Sequence, residues 1–125
     1  MGNAVVHFEV MAQDKARLQK YFSDLFGWKI NTDNPMGYGV IAHSDNHGPD
    51  GNGIGGGIFG DMPREQSGVT FYVEVDDVDA ALKKVEQLGG TRMMGPQEVP
   101  GGPTIAQILD PEGRMVGLVQ AGTMT

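Results

Sequence analysis

The chain contains no cysteine, so disulfide bonds and thiolate metal ligands are excluded outright. Positive charge is scarce as well: nine basic residues stand against sixteen acidic ones, for a formal charge of −7. A nucleic-acid or anionic-membrane surface needs a clustered basic face, so neither partner is expected. No long apolar run is present, and the opening residues MGNAVVHFEV carry no charged leader. The expectation is therefore a chain with no signal peptide and no membrane span, in the cytoplasm. Aromatic residues are few, nine in all, which limits the stacking surface available to a planar ligand.

Glycine, by contrast, is abundant: twenty of 125 residues, against a usual share of roughly 7%. Most sit at segment ends and in the stretch 51–60, as many tight turns between short strands would require. A chain of this length is expected to form one domain, residues 1–125, with a real core and no staples.

Val5 to Val10 alternates, with Val6, Phe8 and Val10 on one face and Val5, His7 and Glu9 on the other. That pattern predicts a half-buried strand. Asp14 is a good N-cap for a helix to about Phe26, with Leu18, Phe22 and Leu25, supported by Tyr21 and Phe26, as its core stripe. Gly27 ends it, and strands are predicted at Trp28–Asn31, Tyr38–Ala42 and Ile54–Phe59. The order then recurs. Val69 to Val75 alternates, with Thr70, Tyr72 and Glu74 sharing a face. Asp77 caps a helix with the stripe Val78, Ala81, Leu82, Val85 and Leu88. Gly89 and Gly90 stop it, and strands follow at Arg92–Met94, Thr104–Leu109 and Met115–Gln120.

Shifted by 63 positions, Asp14 falls on Asp77, His7 on Thr70 and Gly27 on Gly90. Cap, stripe and stop coincide, so the chain reads as two degenerate βαβββ modules: about 4–60, a linker 61–67 and about 68–121. The fold class is α+β.

Specific residues carry a resemblance at this point. Val6-His7-Phe8-Glu9-Val10 with Asp14 and Tyr21–Trp28, then Val73–Ala81, then Leu109-Asp110-Pro111-Glu112-Gly113-Arg114 running into Val116–Gln120, are similar to the vicinal-oxygen-chelate superfamily. That superfamily includes glyoxalases, bleomycin-resistance proteins and ring-cleaving dioxygenases. The resemblance implies that each module curls its strands around half of a cavity, and it implies a small organic ligand and, often, a homodimer. It also implies a Lewis-acid divalent metal, held by one residue from the first strand and one from the last strand of each module. Only His7 matches that set. Thr70 stands at the second first-strand position, Gly117 at one last-strand position and the run Gly55-Gly56-Gly57 at the other. No cofactor and no metal ligand set is therefore expected, and glyoxalase I activity is not expected.

The candidate catalytic residues are His7 and Glu9, with His7 as general base or hydrogen-bond donor and Glu9 tuning it. Candidate ligand contacts are His7, Glu9, Thr70, Tyr72, Glu74 and Gln107. The bland readings are a wet sheet face, a satisfied core histidine and a space-filling Tyr72; the direction of Gln107 is open. His43, Asp45, His47 and Asp50 read as a mobile hairpin connection rather than a second metal cluster, since no glutamate closes a calcium loop there. Gly53–Gly57 lacks the lysine of a phosphate loop and reads as a strand that needs close backbone approach. Two function classes follow. One is a metal-free small-molecule binder; the other is a metal-dependent lyase, isomerase or dioxygenase using His7 with non-standard ligands.

Overall fold

A computed structural model describes residues 2–124 of the chain. Its elements are β1 (Val5–Ala12), α1 (Lys15–Phe26), β2 (Gly39–Ile41), β3 (Gly55–Gly60), β4 (Gly68–Val75), α2 (Val78–Gln87), β5 (Thr91–Glu98), β6 (Thr104–Leu109) and β7 (Met115–Gln120). The α+β class and the strand-then-helix opening of each half are as the sequence indicates. The chain divides into two compact units, one of residues 7–70 and one of residues 71 onward with the chain start up to Val6.

In the first unit β3 lies between β2 and β1. β1 and β3 run parallel, with His7 opposite Gly55, Glu9 opposite Gly57 and Val10 opposite Ile58. β2 is antiparallel to β3 and places Val40 opposite Gly57. Because strand side chains alternate, Phe8, Val10 and Ala12 turn to α1 while His7 and Glu9 turn away from it. Val10, Ala12, Ile41 and Ile58 form the core, with Phe8, Leu18, Phe22, Trp28 and Ile30 packed on it. The expected helix stripe is only partly right. Leu18 and Phe22 reach the core, but Tyr21, Leu25 and Phe26 are all more than half exposed. Trp28 closes that end instead, its ring 5.6 Å from that of Phe22 and 5.5 Å from that of Phe8.

The second unit orders its strands β4, β7, β6, β5. β4 and β7 run parallel, with Tyr72 opposite Gly117 and Val73 opposite Leu118. β6 pairs antiparallel with β7 and places Gln107 opposite Gly117. The core is Val78, Leu82, Ala106 and Leu118, with Val75, Ala81 and Ile108 against it. Leu88, expected at the end of the α2 stripe, is 70% exposed.

Both helices start as the sequence indicates. Asp14 accepts a hydrogen bond from the Arg17 N–H at 3.2 Å. Asp77 accepts two, from Asp79 and Ala80, at 3.0 and 3.2 Å. These side-chain oxygens satisfy amides that have no partner inside the helix. Gly27 ends α1 at φ 70°, a left-handed conformation that favours glycine.

The segment expected to form a strand at Trp28–Asn31 does not form one. The Asn46 side chain takes both backbone groups of Lys29, accepting from its N–H at 2.8 Å and donating to its carbonyl at 3.1 Å. The Ser23 hydroxyl donates to the Trp28 carbonyl at 2.9 Å. Those groups are satisfied by side chains rather than by a neighbouring strand, and of the expected strand only the bridge of Asn31 with Val40 forms. β5 is longer than expected, Thr91–Glu98, and passes Gly95 and Pro96 by register shifts against β6. The connection 61–67 holds a short 3-10 turn at Arg64–Gln66. Asp61 at its start pairs with Lys15 Nζ at 2.6 Å. The hydrogen bonds from Lys15 hold the Asp61 carboxyl below its usual range. Among the described residues no helix is long and apolar enough to cross a membrane.

Candidate functional site

On β1, His7 and Glu9 share the face turned away from α1, as their two-residue spacing requires. Glu9 is 6% exposed and His7 is half-buried. A third residue joins them. Tyr38, immediately before β2, places its hydroxyl 3.1 Å from Nε2 of His7 and donates to Oε2 of Glu9 at 3.3 Å. Burial lowers the His7 imidazole below its ordinary pKa, because an apolar surround disfavours the charged ring.

The matching face of β4 carries Thr70, Tyr72 and Glu74. Thr70 and Tyr72 are buried, at 6% and 3% exposure. Gln107 resolves onto this face as well, since its amide donates to the Tyr72 hydroxyl at 3.0 Å. Among the described residues no buried side-chain nitrogen or oxygen is without a hydrogen-bond partner.

The glycines opposite these residues explain the arrangement. In the first unit a Cβ on Gly57 would run into the Tyr38 hydroxyl, and one on Gly56 into the Phe8 ring. Rings therefore lie on β3 from both sides, Phe8 from the helix side and Tyr38 from the other. The expected close approach to the glycine run is an approach by these two side chains. In the second unit a Cβ on Gly117 would run into the ring of Tyr72. Each half thus packs a tyrosine against a glycine of its last strand.

Tyr38 is the residue that sequence reasoning missed. It stands between Gly37 and Gly39, far along the chain from His7, and reads locally as a strand start. The glycine run at positions 55–57 was the available signal, since a strand without side chains must be covered by something.

The loop His43–Asn52 does not gather ligands. Nε2 of His43 bonds the Gly51 carbonyl at 2.8 Å and Nδ1 of His47 bonds the Gly48 carbonyl at 2.9 Å. Asn46 ties the loop to Lys29 and Ala42. Two surface hollows also lie away from His7. One, of about 540 Å³, is lined by Glu98–Gly102 and Thr123; the other, of about 400 Å³, by residues on and beside the start of α1.

Comparison with known proteins places this fold. The model of the Glyoxalase/Bleomycin resistance protein/Dioxygenase superfamily matches residues 4–118. The chain belongs to that superfamily. It is 32% identical over 119 residues to the putative glyoxylase CFP32 of Mycobacterium bovis, covering 90% of this chain and 44% of that protein. The chain thus spans less than half the length of that relative. Among solved structures it resembles a superfamily member from Vibrio splendidus 12B01, with TM-score 0.61, 20% identity and 95% and 99% of the two chains covered. It also resembles a methylmalonyl-CoA epimerase in complex with methylmalonyl-CoA and NH4+, with TM-score 0.66, 15% identity and 98% of each chain covered. At these identities the structures show the shared fold.

The superfamily's metal can be tested against the residues present. Of the four positions, His7 alone is a good donor. Thr70 offers a weak hydroxyl, and Gly117 and the run Gly55-Gly56-Gly57 offer no side-chain donor. The space a last-strand side chain would need is filled by Tyr38 in one unit and Tyr72 in the other. No group of three or more histidine, cysteine or carboxylate residues is placed to hold an ion among the described residues. The residues do not fit the family's metal.

Proposed function

We propose that this chain is a metal-independent, small-molecule-binding member of its superfamily, acting as a homodimer. The observation that carries the reading is the pair of tyrosine-glycine contacts. Where the family's pattern asks for a last-strand ligand, each unit has a glycine covered by a phenol. His7, Glu9 and Tyr38 beside β1 and β2 are one proposed set of ligand contacts, and Thr70, Tyr72, Glu74 and Gln107 on β4 and β6 are another, each taken by itself. The first supplies imidazole, carboxylate and hydroxyl groups and the second hydroxyl, carboxylate and amide groups, and each is a polar set suited to fixing the orientation of an organic molecule. His7 and Glu9 are the pair placed for proton transfer, should the bound molecule undergo one.

A thermal-shift screen of small organic molecules, run with a chelator present, tests this. A ligand at about a hundred times its Kd adds about 2.7 kcal/mol of stability, which in a domain of this size raises Tm by several degrees. The expected result is one or more such hits, lost in the double variant His7→Ala/Tyr72→Phe while that variant stays folded. Hits that appear only when a divalent ion is added, or that survive the double variant unchanged, contradict the proposal. Light scattering at micromolar concentration is expected to give twice the mass of one 13.4 kDa chain.

A further inference from the structure

An asparagine side chain is an electrophile that the backbone of the next residue can attack. The nitrogen of that residue bonds to the side-chain carbonyl carbon, ammonia leaves, and a five-membered succinimide forms. Water then opens the ring at either carbonyl, to give aspartate or isoaspartate. Two local features favour the attack: a next residue with no side chain to shield its nitrogen, and an asparagine amide that hydrogen bonds do not hold in another direction.

The chain has five asparagines, Asn3, Asn31, Asn34, Asn46 and Asn52. The first four have their side chains tied down. Asn3 donates to the Glu74 carbonyl at 2.9 Å, and Asn31 accepts from the Asp33 N–H at 2.8 Å. Asn34 both donates to the Tyr38 carbonyl, at 2.7 Å, and accepts from its N–H, at 2.9 Å. Asn46 clasps Lys29 and Ala42. Their next residues are Ala4, Thr32, Pro35 and His47, each with a side chain, and Pro35 has no N–H at all.

Asn52 differs on both counts. It is exposed, and it precedes Gly53, whose φ of 112° favours glycine. Asn52 is anchored through its backbone, where its carbonyl accepts from the Gly48 N–H at 2.9 Å. Its side-chain amide lies where a Cβ on Gly48 would meet it. The adjacent pair Asp50-Gly51 is a weaker candidate. The Gly51 N–H, the group that would have to attack, donates to the Gly48 carbonyl at 2.9 Å, and an ionised carboxylate is a poorer electrophile than an amide.

We propose that Asn52 is a covalent modification site, converted through a succinimide to isoaspartate and aspartate with water as the sole co-reactant. In isoaspartate the main chain runs through the former side-chain carbon, so the loop gains a methylene. The carbonyl that accepts from Gly48 becomes a pendant carboxylate, and the chain gains one negative charge. This change falls three residues before Gly55, which lies opposite His7 on β1.

Folded protein incubated in mildly alkaline buffer and then digested for mass spectrometry tests the site, with fragment ions locating each change. The expected result is replacement of an amino group by a hydroxyl at Asn52, several-fold faster than at any other asparagine. Two isomeric products should separate by chromatography, and an isoaspartyl-specific methyltransferase should label one of them. Asn52→Gln lengthens the side chain, so that attack would have to close a six-membered ring. It is expected to lose both the mass change and the label while its circular dichroism stays that of the parent. Asn52 left intact while an unfolded sample converts overturns the proposal, as does conversion no faster than at the other four asparagines. A methyltransferase label that stays in Asn52→Gln assigns the isoaspartate to another residue and overturns it as well.

Discussion

The two halves of this chain share a scaffold and differ on the face that it presents. The shift of 63 positions that relates Asp14 to Asp77 also relates Glu9, opposite Gly57, to Tyr72, opposite Gly117. Helix cap, parallel ladder and covered glycine recur in both. The residues over the glycine do not. In the first half the tyrosine comes from beside β2, and β1 supplies His7 and Glu9 beneath it. In the second half the first strand itself supplies Tyr72, and Gln107 from β6 meets its hydroxyl. The scaffold is specified by backbone requirements that few residues meet, such as a carboxylate at an N-cap or no side chain beneath a ring. The polar face needs only satisfied hydrogen bonds, and many residue sets achieve that. Divergence is therefore free to fall there.

If the halves are equivalent as scaffolds, matched substitutions should cost similar amounts. The largest effects are expected for Ile58→Ala and Leu82→Ala, each fully buried in its own core. Truncations of this kind cost about 2–5 kcal/mol, and chemical denaturation measures them. Leu25→Ala, at a position 55% exposed, should cost well under 1 kcal/mol on the scale of ordinary surface changes. A large loss there would mean that the exposed end of α1 is covered by something else.

Gly57→Ala and Gly117→Ala come next. Each added methyl must push a tyrosine off its strand, and overpacking of this kind costs about 1–3 kcal/mol. Gly117→Ala should cost more, because Tyr72 is buried while Tyr38 is only half-buried. Equal and negligible losses would show that the tyrosines move aside freely, and the parallel between the halves would lose its physical basis.

The caps follow, at about 0.5–2 kcal/mol each for Asp14→Ala and Asp77→Ala. Asp77 satisfies two amides where Asp14 satisfies one, so the second half should lose more. The smallest effect separates the halves by pH. Burial lowers the folded-state pKa of His7, so near and below the ordinary value of 6.5 the unfolded chain binds more protons than the folded one. Stability therefore falls as pH drops through that window and recovers as it rises. Denaturation midpoints between pH 7.5 and 5.5 should fall less steeply in His7→Gln than in the parent, and Thr70→Val should leave the slope as it was.

Much of this was legible in the sequence because the signals were local. Asp14 and Asp77 precede their helices directly, and the alternation along Val5–Val10 and Val69–Val75 put His7 with Glu9 on one face of β1 and Thr70, Tyr72 and Glu74 on one face of β4. It did not carry how deeply each is buried: Val69 and Phe71 are exposed while Thr70 and Tyr72 are buried. Tyr38 was not legible, because its partners lie some thirty residues away and nothing in Gly37-Tyr38-Gly39 announces them. The direction of Gln107 depended on which neighbour Tyr72 reaches, which periodicity does not carry. The missing strand at 28–31 failed for a similar reason: Asn46 claims that backbone from a distant loop. Leu25 and Leu88 kept helical spacing but lay beyond the reach of the core, since spacing sets direction and not coverage.

The central claim is that covered glycines and phenols stand where the family's pattern asks for metal ligands. Elemental analysis of untagged protein, dialysed against each of zinc, nickel, iron and manganese and then freed of excess ion, tests it most directly. Metal content well below one equivalent for every ion, and the same in His7→Ala, is the result predicted. Near-equimolar retention of any one of them, lost on His7→Ala, would contradict it.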